Sequence, residues 1–106
     1  MDRLEARFHS VMLSLYDQAK GLDYFANYFK QMLDRHGGVE TAKRLLIQGS
    51  AQEGLYRLWE LSALELSVEA TVLRDEFASL FDEREMAEAK RRLEDLGYDP
   101  GGISSS

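Results

Sequence analysis

Residues 24–47 read YFANYFKQMLDRHGGVETAKRLLI, and their pattern sets the class of fold. Apolar and aromatic residues recur at helical spacing on both sides of the pair Gly37-Gly38. The pair Arg35-His36 puts basic side chains in the last turn of the first segment, where cations interact favourably with the helix dipole. The stretch therefore predicts two helices joined by a glycine turn, the second over about residues 39–47.

The same periodicity extends on both sides of this stretch. Apolar residues at helical spacing run from Leu4 to Ala19, and Gly21 ends that helix. Asp23 precedes the next apolar stripe as a candidate N-cap. On the other side, Ser50-Ala51-Gln52-Glu53 has the form of a capping box. It predicts a short helix that holds Leu55, Leu58 and Trp59.

Residues 64–72 are the one place where apolar side chains alternate as in a strand. A strand here would have no partner, because no other segment alternates. Ser67 is also a good N-cap, so we expect a bend near Glu65-Leu66 and then a helix over 68–73. A short turn follows through Phe77, Leu80 and Phe81.

Asp82-Glu83-Arg84-Glu85 is a second capping-box pattern, and it predicts the last helix, which ends at Gly97. Glu88 and Arg92 are spaced within it for an i, i+4 ion pair. We expect residues 1–98 to form a single all-α domain, a compact bundle of about five to six short helices. Residues 99–106 are expected to form a flexible C-terminal tail.

Composition excludes several classes of chemistry. The chain has 106 residues and no Cys, which removes disulfides, thiolate metal sites and Cys nucleophiles. No apolar run approaches the roughly 18 residues of a membrane span, and the first residues lack an apolar signal core. We therefore expect a cytoplasmic protein with no membrane partner. The net charge of −6 is uneven: residues 35–57 are mildly basic, and residues 58–106 carry twelve acidic and five basic side chains.

Four separated elements follow one another along the chain. They are HGGVETAKRLL at 36–46, GLYRLWE at 54–60, LELSVE at 64–69, and within 80–98 a Leu-Phe pair, an acidic cap, Arg-Leu and Gly-Tyr. Preceded by Phe29-x-x-Met32-Leu33, they resemble a small uncharacterised bacterial all-helical family, and the similarity covers about residues 20–98. The resemblance implies a stand-alone helical protein or a short module of a larger one, and it implies no particular activity.

Few side chains are suited to catalysis. His9 and His36 lack any metal-ligand spacing. We expect His9 to lie at the surface or the rim of the core, and His36 to stabilise the C-terminal end of its helix through the helix dipole. A carboxylate-based hydrolase using Glu60, Glu65 and Glu69 is one alternative, since paired carboxylates carry out acid–base hydrolysis. Nothing marks a cleft, and acidic residues near a helix start are typical of solvated surface. We expect no enzyme activity, no catalytic residue, no cofactor and no metal.

The aromatic residues favour a binding function instead. Tyr24, Phe25, Tyr28 and Phe29 cover too wide an arc of a helix to face inward together, and tyrosine is favoured at protein interfaces. We expect a protein-interaction module, a small adaptor or regulatory protein whose partner is another protein or a second copy of itself, as in a homodimer. A lone tryptophan is typical of a core, so Trp59 is expected to support this surface. The candidate partner-binding residues are Tyr24, Tyr28, Lys43, Arg44, Arg57, Trp59 and Glu60.

The main alternative is a nucleic-acid-binding protein. The helix–Gly-Gly–helix unit within residues 24–57 resembles a helix-turn-helix. We expect Lys43 and Arg44 to point outward from its second helix, with Arg57 nearby. Phosphate binding needs several such cations, because each contributes through counterion release. An acidic chain can still carry a local basic face, so this alternative stays open at the level of sequence.

Overall fold

A computed structural model describes residues 2–24, 26–48 and 52–98, and these form an all-α bundle with no strand among them. The fold class predicted from the sequence is confirmed. The expectations for Phe25, for Ser50 and for the tail at 99–106 lie outside the described residues. The helices are α1 (Arg3–Gly21), α2 (Asn27–His36), α3 (Gly38–Ile47), α4 (Gln52–Glu60), α5 (Val68–Val72) and α6 (Glu83–Asp95), with 3₁₀ helices at Leu64–Leu66 and Asp75–Leu80.

The larger of two hydrophobic clusters is centred on Phe8 of α1. Its ring packs edge-on against Phe77 and Phe81, with centroids 5.0 and 5.2 Å away. Such edge-to-face pairs add to the free energy gained by burying the rings. Also fully buried in this cluster are Met12, Leu33, Ala42, Val72 and Ala89. The cluster thus joins α1 to the segment that connects α5 and α6.

A close helix crossing explains the second glycine of the turn between α2 and α3. A Cβ added at Gly38 would lie 2.7 Å from Cα of His9, closer than two such carbons can approach. Gly37 has φ of 82°, a backbone conformation that favours glycine. The predicted glycine turn is therefore confirmed, with one glycine supplying the turn and the other the space for α1.

The start of α2 differs from the prediction. Asp23 has φ of 64° and belongs to the turn that ends α1, where Tyr24 N–H donates to the Ala19 carbonyl at 2.9 Å. Because that turn uses residues 22–24, α2 begins only at Asn27. The prediction that Asp23 caps a helix starting at Tyr24 is wrong, since an N-cap has extended backbone angles rather than left-handed ones.

Two predicted N-caps are present. Ser67 Oγ accepts a hydrogen bond from Ala70 N–H at 3.0 Å and begins α5, directly after the 3₁₀ turn that replaces the alternating strand pattern. Asp82 and Glu85 form a reciprocal capping box at the start of α6. These caps confirm the helical interpretation of residues 64–72 and the start of the last helix.

Candidate functional site

A groove opens between α1, α2 and α4, and residues 66–69 also line it. It encloses about 660 Å³, a volume in the range of ligand-binding clefts. We call it the α2–α4 groove. Its apolar lining includes Leu15, Ala19, Phe29, Leu55, Leu58 and Val68.

Two of the predicted binding residues, Tyr24 and Tyr28, line this groove. Tyr28 is 63% exposed, which confirms that one tyrosine of the stripe faces solvent. Tyr24 is half-buried. Its hydroxyl oxygen lies so close to the backbone of Gly54 that a Cβ added to this glycine would be only 2.9 Å from it. Burial raises the pKa of the Tyr24 hydroxyl more than the nearby Arg57 lowers it. Glycine at position 54 therefore lets the Tyr24 ring pack directly against α4.

A buried carboxylate, that of Glu69, also lines the groove. Its side chain is 7% exposed, and its Oε2 accepts a hydrogen bond from Nη1 of Arg92 at 3.0 Å. Burial raises the pKa of Glu69 above its ordinary value, and its own backbone N–H and Arg92 only partly offset that effect. The expectation that Glu69 lies in solvated surface is wrong, because Arg92 from α6 accompanies it into the interior.

All three guanidinium nitrogens of Arg92 donate hydrogen bonds to other groups of the protein. Its Nε donates to Glu88 at 2.7 Å, which confirms the predicted i, i+4 pair. Its two terminal nitrogens donate to Glu69 and to the backbone carbonyls of Leu45, Leu46 and Gln48. These carbonyls belong to the last turn of α3 and the residue after it, so Arg92 caps the C-terminus of a helix distant in sequence. No spacing rule points to this contact, and the sequence predicted only the Glu88 pair.

Among the described residues, three charged side chains line the groove: Glu53, Arg57 and Glu69. Arg57 extends its Nη1 to within 3.5 Å of Oε1 of Glu60, and both side chains are at least half exposed. The lining therefore contains two carboxylates against one guanidinium that is itself paired. Of the predicted binding residues, the structure brings Tyr24, Tyr28 and Arg57 to this groove, with Glu60 beside it.

Lys43 and Arg44 lie elsewhere on the molecule. Nζ of Lys43 forms an ion pair with Oε1 of Glu85 at 2.9 Å and lies 5.3 Å from the centroid of the Phe81 ring. Arg44 forms an i, i+4 ion pair with Glu40 at 3.0 Å. Lys43 was predicted to point outward, and it is instead two-thirds buried, because Glu85 and Phe81 provide a charged and an aromatic partner.

Trp59 does not pack beneath the groove as a core residue. Its side chain is 51% exposed, so the expectation of a core residue is wrong. In α4, Leu55 and Leu58 take the buried positions, and Trp59 is turned about 100° from Leu58 around the helix axis. Tyr56, also on the outer side of α4, is 49% exposed. These two rings do not line the groove.

The two histidines share a smaller cavity near the glycine turn, which Gly37, Gly38 and Lys43 also line. His9 is half-buried, in agreement with a rim position, and its Nδ1 is a buried atom that meets no hydrogen-bond partner within the described residues. No three His, Cys, Asp or Glu side chains in the described ranges are grouped so that they could hold a metal ion.

None of the described helices combines the length and the apolar character needed to cross a membrane. No family model, curated protein or solved structure matches this chain. The resemblance to a bacterial helical family therefore stays a prediction.

Proposed function

We propose that this protein is a non-catalytic interaction module whose α2–α4 groove binds a short segment of another protein. The observation that carries this proposal is Tyr28, a large aromatic side chain that is 63% exposed at an apolar groove. Exposed tyrosines beside apolar surface are enriched at protein interfaces, where the ring is buried and the hydroxyl keeps a polar partner. The proposal includes a cytoplasmic location and membership of the bacterial family described above.

Size supports a peptide-like occupant. About 660 Å³ accommodates several side chains of one segment but not a folded domain. The lining is mainly apolar, and burial of apolar surface is the main favourable contribution to association. Tyr24 and Tyr28 supply large contact areas with few rotatable bonds, so little conformational entropy is lost when they are covered.

The charges do not favour the nucleic-acid alternative. Lys43, Arg44 and Arg57 each have a carboxylate partner within the described structure, respectively Glu85, Glu40 and Glu60. A phosphate would have to displace these partners before it gained a cation. Lys43 and Arg44 lie on α3 and Arg57 lies on α4, and of these three cations only Arg57 lines the groove.

The test is a selection from a phage-displayed library of random peptides on the immobilised protein, followed by affinity measurements on the best synthetic peptide. We expect Tyr28→Glu to weaken its binding by about tenfold or more, because a charge would then be buried at the contact. The matched control is Tyr56→Glu, which alters a half-exposed tyrosine outside the groove. It should leave the affinity unchanged.

Three results would overturn the proposal. They are a failure to select any binding peptide, equal effects of the two substitutions, or loss of binding only with Tyr56→Glu. Sedimentation velocity tests whether a second copy of this chain occupies the groove instead. A dimer that Tyr28→Glu dissociates would show that the groove receives a second copy of this chain instead.

A further inference from the structure

We propose that the α2–α4 groove is specific for a basic side chain, a lysine or arginine of the bound segment, whose charged end pairs with Glu69. This inference rests on the proposed function, because it specifies which chemical group of a partner the groove selects. Four features of the structure support it: the placement of Glu69, the five hydrogen bonds of Arg92, the local charge balance and the shape of the groove.

Glu69 lies between the groove and Arg92. It lines the groove, whereas Arg92, with a side chain only 2% exposed, does not. The hydrogen bond from Arg92 Nη1 goes to Oε2, which leaves Oε1 outside that contact. A carboxylate has about four acceptor positions, so Arg92 and the backbone N–H of Glu69 itself leave capacity for a further donor.

Arg92 has no further donor to offer this carboxylate. A guanidinium has five N–H groups, and Arg92 makes five hydrogen bonds: one from Nε, two from Nη1 and two from Nη2. Three of its acceptors are backbone carbonyls at the C-terminus of α3, which is the negative end of the helix dipole. Much of the positive charge of Arg92 therefore compensates groups other than Glu69.

The charge on the groove side of Glu69 is accordingly negative. Arg92 is shared between Glu69 and Glu88, and Glu88 in turn also pairs with Arg91. Within the groove, Glu53 and Glu69 outnumber Arg57, which is paired with Glu60. The raised pKa of Glu69 points the same way, since burial outweighs the compensation that Arg92 provides. A cation from outside would supply the charge that is missing.

The groove also suits the stem of a basic side chain. Lysine and arginine have an aliphatic stem that packs on apolar surface and a charged end that needs a polar partner. Leu55, Leu58 and Phe29 supply apolar surface in the lining, and Tyr28 adds an aromatic ring that can attract a cation. An acidic or purely apolar side chain would leave Glu69 without additional compensation.

The test uses two small probes on the wild-type protein, n-butylguanidinium and n-butylurea. The two have nearly the same shape, but only the first is charged. Chemical shifts of backbone amides, followed during titration, report both affinity and location. We expect n-butylguanidinium to shift the amides of groove residues, including Leu58, Val68 and Glu69, and to bind about tenfold more tightly than n-butylurea.

Variants then assign the preference to one carboxylate. Glu69→Gln should bring the two probes to equal affinity, whereas Glu65→Gln, which alters an exposed carboxylate of the neighbouring 3₁₀ helix, should leave the preference intact. If Glu69→Gln fails to fold, the comparison of the two probes on the wild-type chain still tests the inference.

The outcomes separate this inference from the function on which it rests. Equal binding of both probes in the groove, or no binding of either, overturns the preference for a cation. Peptides that bind the groove without a lysine or arginine lead to the same conclusion while leaving the protein-binding function in place. Failure of every peptide to bind the groove overturns the function itself.

Discussion

Arg92 and Glu69 stand 23 residues apart in the chain and meet inside it, with Nη1 of Arg92 3.0 Å from Oε2 of Glu69. Their side chains are 2% and 7% exposed. Arg92 also holds the last carbonyls of α3, so this one residue links α3, α5 and α6. Glu69 lines the groove and Arg92 lies behind it, so the hydrogen bond from Arg92 fixes the position of the Glu69 carboxylate.

Arg92→Met should destabilise the protein by about 3–5 kcal/mol, because it leaves the Glu69 carboxylate buried without its cation and the end of α3 without its cap. The free energy of unfolding in urea, followed by circular dichroism, measures the loss. The matched control is Arg91→Met. Arg91 is 52% exposed, and its partners Glu88 and Asp95 are 29% and 62% exposed, so each of these two pairs should contribute no more than about 1 kcal/mol. Equal costs for the two variants would contradict the role given to Arg92.

Glu88 should make stability depend on acidic pH. Hydrogen bonds from Arg91 chiefly, and from Arg92, lower the pKa of Glu88 from 4.5 to about 2. The folded protein therefore binds fewer protons here than the unfolded chain, and the stabilisation is present above pH 4.5 and lost as pH falls toward about 2. We expect Glu88→Gln to lose less stability than wild type over this interval, and Glu94→Gln, on the exposed side of α6, to match wild type. Parallel curves for all three proteins would refute the assignment.

Glu69 should act in the opposite direction. Burial raises its pKa, so the folded protein binds more protons at this group than the unfolded chain does. Its contribution to stability therefore falls as pH rises through the interval above 4.5. Compared with Glu69→Gln, the wild-type protein should lose stability on going from about pH 4 to about pH 7 in urea titrations. A gain in wild type relative to this variant would show that Arg92 fully compensates the carboxylate.

Gly38→Ala tests the close crossing of α1 and α3. The added Cβ would collide with the backbone of His9, so the helices must separate, at a cost of about 1–3 kcal/mol. Gly21→Ala is the control, since a Cβ there meets nothing within 4 Å and φ is not positive. It should change the unfolding free energy by less than about 0.5 kcal/mol. A tolerated Gly38→Ala would mean that this crossing is looser than described.

Gly54→Ala separates the shape of the groove from the stability of the fold. Alanine gains up to about 1 kcal/mol of helix propensity in α4, but its Cβ would lie 2.9 Å from the Tyr24 hydroxyl and displace that ring. We expect the unfolding free energy to stay within about 1 kcal/mol of wild type, while a selected peptide binds about tenfold more weakly. Unchanged peptide affinity would show that Tyr24 does not shape the bound surface.

The elements that the sequence predicted well depend on local interactions. Capping by Ser67 and Asp82 requires only residues three positions away, and the glycine turn at 37–38 depends on backbone angles that few other residues adopt. The start of α2 was placed too early because the turn after α1 competes for Asp23. Residue propensities alone do not show whether Asp23 belongs to the turn that ends α1 or acts as the N-cap of α2.

The candidate site was only partly predictable, because its chemistry depends on contacts between distant segments. The exposure of Tyr28 was expected from an aromatic stripe too wide to face inward, although α2 begins at Asn27 and so excludes Tyr24 from that stripe. Glu69 is buried because it pairs with the guanidinium of Arg92, which lies 23 residues later in the chain. No periodic pattern in the sequence indicates a contact over that separation. The exposure of Trp59 depends on which side of α4 meets Leu93, a fact of packing rather than of composition.

The central claim is that the α2–α4 groove binds a segment of another protein through a basic side chain. A ¹⁵N-edited spectrum of the protein, recorded with and without a peptide selected on it, tests this most directly. We expect the largest shifts on groove residues such as Tyr28, Leu58 and Glu69, and we expect replacement of the peptide's arginine by citrulline to abolish them. Shifts centred on Tyr56 and Trp59, or unaffected by citrulline, would contradict it.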